Sequence, residues 1–165
     1  MPKTLLIIYY SKKGHTEKMA KEITKTVEKE NVNTILKKVD DCKLNDLLET
    51  DGLAIGSPTY YGNIAWPIKR FLDETILNFY TKGHSLKHKV CGCFTSVGAY
   101  DDGKDCIRML ELAFGFALKM KIVPGIIIET TDVNNGKLAS CSTFGKKLAQ
   151  ELITKAEQVD KTKMD

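Results

Sequence analysis

The fold is decided by Tyr9-Tyr10-Ser11-Lys12-Lys13-Gly14-His15-Thr16, within which a buried strand ends and a helix begins. The run from Leu5 to Tyr10 is continuously apolar, which is typical of a parallel strand buried on both faces. After the stretch, apolar residues recur at helical spacing between charged ones, at Met19, Ala20, Ile23 and Val27. The sequence therefore predicts a strand, a short polar loop and a helix N-terminus.

The loop between this strand and this helix has the composition of an anion site. A helix N-terminus offers unpaired N–H groups and the positive end of the helix dipole. Ser11 and Thr16 add hydroxyl donors, Lys12 and Lys13 add positive charge, and Gly14 lets the backbone approach an anion closely. The loop is therefore predicted to hold a phosphate. The alternative is an ordinary connecting loop in which Ser11 or Thr16 caps the helix.

Length and composition bound the architecture. With 165 residues, 42% of them hydrophobic and 28% charged, the chain is expected to form a single domain over residues 1–165. No apolar run is long enough to span a bilayer, and no signal-peptide cleavage site follows the first strand, so we expect a cytoplasmic protein without a membrane partner. The net charge of +4 is mild and the lysines interleave with glutamates, which argues against nucleic acid.

Cysteine and histidine spacing gives no indication of a metal site. The five cysteines are an odd number and lack Cys-x-x-Cys or Cys/His ligand spacing. The three histidines are scattered along the chain. We therefore expect reduced cysteines packed in the core and no bound metal.

Strands and helices alternate along the whole chain. Strands are predicted at residues 5–10, 33–39, 51–56, 90–95 and 122–129, and helices from residue 16 and over residues 64–76, 105–120 and 136–159. Lys37 and Lys38 in the second strand and Pro124 in the fifth are typical of sheet edges. This pattern predicts an α/β fold with one doubly wound, five-stranded parallel sheet in the order 2-1-3-4-5.

Three loops should meet at the carboxyl edge of this sheet, at residues 11–16, 57–63 and 96–103. The second reads Ser57-Pro58-Thr59-Tyr60-Tyr61-Gly62-Asn63, and the third carries Tyr100 among glycines. A phosphate site flanked by two aromatic, glycine-bearing loops suits a planar heterocycle joined to a phosphate, as in flavin mononucleotide (FMN). Trp66, just beyond the second loop, is expected to pack in the core rather than to cover such a ligand.

These motifs resemble those of a known family. Tyr10 to Thr16 resembles the phosphate loop of the flavodoxins. Gly56-Ser57-Pro58-Thr59-Tyr60-Tyr61-Gly62-Asn63, running into residues 67–73, is more similar to the short flavodoxin-like NAD(P)H:quinone reductases of the tryptophan-repressor-binding-protein type, and the flavodoxin domain of diiron flavoproteins is comparable. The resemblance implies non-covalent FMN held by Ser11, Lys12, Lys13, Gly14, His15, Thr16, Pro58, Thr59, Tyr60, Tyr61, Gly62, Asn63, Ser96, Val97, Gly98, Ala99, Tyr100 and Gly103.

The chain departs from both groups that it resembles. Flavodoxins usually have threonine where Lys13 stands, and the carriers among them are typically acidic, whereas this chain has a pI near 8.7. The quinone reductases are usually longer and tetrameric. His15 either reaches the phosphate or points to solvent.

Two functions are consistent with the resemblance. In both, the flavin carries out the redox chemistry and no catalytic side chain is required. The first is NAD(P)H-dependent reduction of quinones or similar small acceptors. The second is one-electron transfer between redox partner proteins. We favour the reductase from the sequence, because cations near the flavin would stabilise negative charge on the reduced ring. Those cations are Lys12, Lys13, Lys69 and Arg70, opposed by Asp101 and Asp102.

The helix predicted at 105–120 carries more apolar surface than one sheet face can cover. Ile107, Leu110, Phe114 and Ala117 form one stripe, and a second stripe consists of Met109, Leu112 and Phe116. The second stripe predicts a homodimer. The alternative is that the last helix or the segment at 79–89 covers it.

Overall fold

The computed structural model describes residues 2–162 of the chain, with side chains to residue 154. Five parallel strands form one sheet in the order β2-β1-β3-β5-β6, and a short strand, β4, pairs antiparallel with β3. The strands are β1 (Thr4–Tyr9), β2 (Asn33–Lys38), β3 (Gly52–Tyr60), β4 (Asn63–Ile64), β5 (Val90–Val97) and β6 (Lys121–Glu129). The predicted doubly wound α/β fold and the order of its five parallel strands are confirmed.

Helices cover both faces of the sheet. They are α1 (His15–Lys29), α2 (Leu44–Glu49), α3 (Trp66–Arg70), α4 (Leu77–Thr81), α5 (Tyr100–Glu111), α6 (Thr130–Asn134) and α7 (Ala139–Thr162). The chain is π-helical over Phe71–Ile76, between α3 and α4, and over Leu112–Ala117, after α5. Within residues 2–162, no helix combines the length and the apolar character needed to cross a bilayer.

Two hydrophobic cores lie on opposite faces of the sheet. Successive strand residues point to opposite faces, so Leu6 and Ile8 of β1 enter the core beneath α3, α4 and α5, whereas Leu5 and Ile7 enter the core beneath α1 and α7. All four side chains are fully buried. Burying each stabilises the fold by about 1.5–3 kcal/mol relative to leaving it exposed. Burial on both faces explains why β1 reads as an unbroken apolar run.

Several predicted element boundaries are wrong. The third strand was expected to end at residue 56, but β3 continues to Tyr60 because Ser57 and Pro58 remain paired with Thr95 and Ser96 of β5. Gly136, with φ of 71°, separates α6 from α7, where one helix from residue 136 was expected. The predicted end of that helix near residue 159 lies where only the backbone is described.

The edge strand β6 contains a bulge near the proline that the sequence places there. The β5–β6 register shifts between Gly92 and Phe94, opposite Pro124, which has no N–H to donate. The Gly125 N–H next to it donates instead to Glu111 Oε1 at 2.9 Å. A side chain of α5 thus satisfies a backbone donor that the ladder leaves unpaired.

The second apolar stripe of the predicted 105–120 helix is exposed. Leu112 is 50% exposed and Phe116 is 81% exposed. The last helix, α7, packs on the other face, and the segment at 79–89 sends Leu86 into the core instead. Neither of the alternative covers is therefore present, and self-association stays a prediction.

We expect the chain to be dimeric at tens of micromolar and Phe116→Lys or Leu112→Lys to make it monomeric. A charge at either position would have to lose its hydration inside an interface, which a stable dimer of roughly 800 Å² per partner requires. Sedimentation velocity measures the outcome. Ile153→Lys is the matched control, because Ile153 is also a partly exposed apolar residue, on α7 at the other face. A wild-type chain that sediments as a monomer contradicts the prediction.

Candidate functional site

A cavity of about 230 Å³ opens at the carboxyl edge of the sheet, where β1, β3 and β5 end side by side. Most of the residues predicted to form the site line it, together with one that was not predicted, Thr130 at the start of α6. The predicted residues that line the cavity are Ser11, Lys12, Lys13, His15, Thr16, Pro58, Thr59, Tyr60, Ser96, Val97 and Gly98. The structure therefore brings all three predicted segments to one place.

One end of the cavity is the N-terminus of α1. The helix begins at His15, and its N-cap residue is Gly14, whose φ of 87° is left-handed and suits glycine. No side chain caps the helix, so the alternative in which Ser11 or Thr16 serves as the cap is wrong. The N–H groups of the first turn consequently remain available to an anion. Lys12 and Lys13 are exposed beside them, and His15 is half-buried at the cavity wall.

The other end is a β-hairpin rather than a loop. Tyr60 of β3 pairs with Asn63 of β4, and the two residues between them, Tyr61 and Gly62, both have positive φ, of 53° and 70°. Positive φ at both positions is the pattern of a type I′ turn. A tyrosine is uncommon in this conformation. Tyr61 is fully exposed and Tyr60 is 40% exposed, so the hairpin presents two aromatic rings near the cavity mouth.

The third segment is shorter than predicted, because β5 continues to Val97 and α5 begins at Tyr100. The Tyr100 N–H donates to Glu129 Oε1 at 3.0 Å, and its ring is half-exposed. Gly103 is a buried residue of α5 that faces Ile127, so the structure places it in the helix–sheet contact and not in the cavity. Six further predicted residues also lie outside the cavity lining, namely Gly14, Tyr61, Gly62, Asn63, Ala99 and Tyr100.

Two pairs of hydroxyl groups connect the three segments. Thr16 Oγ1 lies 2.8 Å from Ser96 Oγ, and Thr59 Oγ1 lies 2.8 Å from Thr95 Oγ1. Ser57 Oγ accepts from the N–H of Ala65 at 2.9 Å and thereby ties β3 to the residue that precedes α3. Thr95 and Thr130 were not predicted from the sequence. Their position at the carboxyl ends of strands was the available signal.

Most of the charges near the aromatic end are paired. Lys69 bonds Asp73 at 2.6 Å, and Arg70 bonds Asp40. Asp101 in turn bonds Lys104 at 2.6 Å. The cationic surround expected from Lys69 and Arg70 is therefore neutralised locally, and Lys12 and Lys13 are the basic residues at the cavity itself.

Trp66 does not pack in the core, contrary to expectation. Its side chain is 67% exposed, and the Arg70 guanidinium lies 4.7 Å from the centre of its ring. Because Arg70 also bonds Asp40, the three side chains form one surface cluster next to α3.

Burial keeps two titratable groups at the aromatic end, Tyr60 and Cys106, in their neutral form. Burial, with a smaller contribution from Tyr10, raises the pKa of the Tyr60 phenol. Burial also raises the pKa of the Cys106 thiol behind the hairpin, although hydrogen bonds with Thr95, Thr59 and Ser57 lower it in part. Neither group is placed to act as a base near neutral pH.

The donor set fits FMN. Hydroxyls, ammonium groups and free helix N–H groups converge at the α1 end, and they suit a phosphate dianion. Tyrosines with exposed faces stand at the opposite end, as a flat heterocycle requires. Pro58, Val97 and Gly98, which carry no charge, also line the cavity.

Comparison with known proteins agrees with this geometry. A family model described as flavodoxin matches residues 7–123. A flavodoxin of Aquifex aeolicus (strain VF5) is 28% identical over 160 residues, which cover 88% of this chain and 85% of that protein. NAD(P)H dehydrogenase (quinone) 3 of Rhizobium meliloti (strain 1021) is 29% identical over 121 residues, which cover 61% of this chain and 56% of that enzyme.

A solved structure gives the same fold. The WrbA-like flavodoxin from Agrobacterium tumefaciens matches 92% of this chain and 98% of its own with a TM-score of 0.74, at 22% sequence identity. At that identity, the structural similarity shows only that the fold is shared. The family model, by contrast, spans most of the sequence, from β1 to the start of β6. The chain therefore belongs to the flavodoxin family.

Proposed function

We propose that this chain binds FMN non-covalently and serves as an electron carrier between redox proteins. The observation that supports the proposal most directly is the cavity itself, with the uncapped N-terminus of α1 at one end and exposed tyrosines at the other. Ser11, Thr16 and the first-turn N–H groups of α1 would hold the phosphate. The hairpin at 60–63 and Tyr100 would flank the ring.

Bound FMN would supply the redox chemistry, because its ring can accept one or two electrons. The residues of the chain then bind the cofactor and orient it. Tyr60, with its raised pKa, stays a neutral phenol and adds no negative charge beside the ring. Since the tyrosines are exposed, the aromatic end of the cavity is open to a docking partner.

The pairing of surface charges supports the carrier over the reductase. The sequence favoured the reductase because four basic residues were expected to stabilise negative charge on the ring. Two of the four, Lys69 and Arg70, are bonded to Asp73 and Asp40, and the other two lie at the phosphate end. A nearly neutral ring end gives little electrostatic help to two-electron reduction. The length of the match to the Aquifex flavodoxin agrees with the carrier role.

The charge of the site edge also suggests the kind of partner. Lys12 and Lys13 are exposed at the same edge of the sheet as the tyrosines, and the whole chain carries a net charge of +4. Complementary charge steers association and fixes orientation. A carrier with this surface would therefore dock to an acidic region of a redox protein.

NAD(P)H-dependent reduction of quinones is the second candidate. It is favoured by the match over 121 residues to the quinone dehydrogenase of Rhizobium meliloti, although the matched part is only 56% of that enzyme. A nicotinamide or a quinone could stack on a ring that is open to solvent. The two functions differ in their electron donor and acceptor, so they can be separated by experiment.

We expect the double variant Lys12→Ala/Lys13→Ala to bind FMN about tenfold more weakly while its affinity for riboflavin stays unchanged. The two ammonium groups act only on the phosphate, and bonds to a charged group are stronger than neutral ones even where solvent weakens them. Fluorescence titration with the two flavins measures both affinities.

Lys18→Ala/Lys25→Ala is the matched control for this experiment. Both lysines are exposed on α1 and lie outside the cavity lining, so the control removes the same charge. It should leave both affinities unchanged. Equal affinity of the wild-type chain for FMN and riboflavin would contradict the assigned phosphate end.

We expect the FMN-loaded protein to be reduced by dithionite in two resolved one-electron stages under anaerobic conditions. Without clustered cations at the ring end, the second electron should enter at a lower potential than the first. Visible absorption spectra recorded during the titration show the number of stages. NADH and NADPH should not be oxidised when a quinone is added. Rapid NAD(P)H oxidation together with reduction in a single stage would instead favour the quinone reductase.

A further inference from the structure

Thr95 and Ser96 are consecutive residues near the end of β5, and their side chains lie on opposite faces of the sheet. Successive residues of a strand point to opposite faces. Ser96 accordingly meets Thr16 of α1, and Thr95 meets Thr59 of β3. Both side chains are almost fully buried, with Ser96 2% exposed and Thr95 0% exposed. The hydroxyls of one dipeptide therefore reach both of the other segments of the cavity.

The Ser96–Thr16 pair lies at the anion end. A hydroxyl has one proton to donate and can also accept. If Ser96 donates to Thr16, the proton of Thr16 is left for an anion in the cavity; the opposite arrangement would turn an oxygen lone pair toward that anion. A bound phosphate therefore selects the arrangement in which Ser96 donates. Thr16 lines the cavity and is otherwise enclosed by protein, so water cannot easily replace Ser96 as its partner.

The Thr95–Thr59 pair lies at the aromatic end. Thr59 lines the cavity one residue before Tyr60, whereas Thr95 is buried behind it and is absent from the lining. Behind the pair lies the buried Cys106 thiol, whose pKa is raised by burial and partly lowered by hydrogen bonding with Thr95, Thr59 and Ser57. The orientation of the Thr59 hydroxyl is thus set from the protein interior.

We propose that Ser96 and Thr95 are positioning residues that act on the two ends of the cofactor separately, Ser96 on the phosphate through Thr16 and Thr95 on the ring and its sugar-alcohol chain through Thr59. This inference rests on the proposed FMN site. It assigns to neighbouring residues of one strand two effects that can be measured independently, because riboflavin has the ring and the chain but lacks the phosphate.

The test compares FMN and riboflavin affinities of Ser96→Ala and Thr95→Val by fluorescence titration. Ser96→Ala should weaken FMN binding about tenfold, the cost of one bond in a charge-assisted network, and should leave riboflavin binding unchanged. Thr95→Val keeps the shape of the side chain and should weaken the binding of both flavins by the same factor, so that their affinity ratio stays at the wild-type value. Thr24→Val is the matched control, because it removes a hydroxyl that bonds Ala20 O within α1, away from the cavity.

Double variants establish whether each residue acts through its partner. Once Thr16→Val has removed the hydroxyl that Ser96 orients, adding Ser96→Ala should cause no further loss of FMN affinity. Thr59→Val and Thr95→Val should be non-additive in the same way. Thr59→Val alone repeats the second test if Thr95→Val does not fold, since it removes the half-buried member of the same pair.

The outcomes are distinct. An equal loss of FMN and riboflavin affinity in Ser96→Ala would overturn the inference, and so would additive losses of affinity in the double variants. The hydroxyl pairs would then have only a packing role. A changed affinity ratio in Thr95→Val would overturn the assignment of its end. Failure of the proposed function has a different signature, because the wild-type chain would then bind neither flavin or would bind both equally.

Discussion

The parallel pairing of β3 with β5 is the interaction on which the site depends. Its register sets Ser57 opposite Thr95 and Pro58 opposite Ser96, beyond the point where the apolar part of each strand ends. A shift by one residue would turn every side chain to the other face of the sheet. The hydroxyls would then enter the apolar cores, and Thr16 and Thr59 would lose their partners. Buried polar groups without partners are costly, so the site and the strand register stabilise each other.

The same pairing separates the two ends of the cavity. The anion end depends on backbone N–H groups, which no side chain caps, and on the left-handed conformation of Gly14. The aromatic end depends on side chains that extend into solvent and contribute little to folding, such as Tyr61. A rigid anchor beside an exposed rim suits a cofactor that is held by its phosphate and exchanges electrons at its ring.

The electrostatic character of the site could not be obtained from a count of charges. Lys69 and Arg70 precede Asp73 in the sequence, and an i,i+4 pair such as Lys69–Asp73 is foreseeable from helical spacing. The bond from Arg70 to Asp40 joins residues from different parts of the chain, and it also holds the guanidinium over Trp66. Trp66 was expected in the core because large aromatics usually pack there, yet its place at the start of α3 leaves it on the surface. A long-range pair therefore decided the charge at Arg70, and the position of Trp66 at the start of α3 decided its exposure.

By itself, the sequence determined the sheet, its strand order and the three segments of the site, because apolar runs, helical spacing and turn residues are local patterns that report directly on backbone conformation and burial. It also indicated the anion end, since the residues of that end are contiguous between β1 and α1. Only the tertiary structure decided that residues 57–60 continue β3, that Gly103 packs against Ile127, and that Thr95 bonds Thr59. Each of these depends on which residues of distant segments lie opposite each other, and strand register and helix packing fix that only when the whole chain has folded.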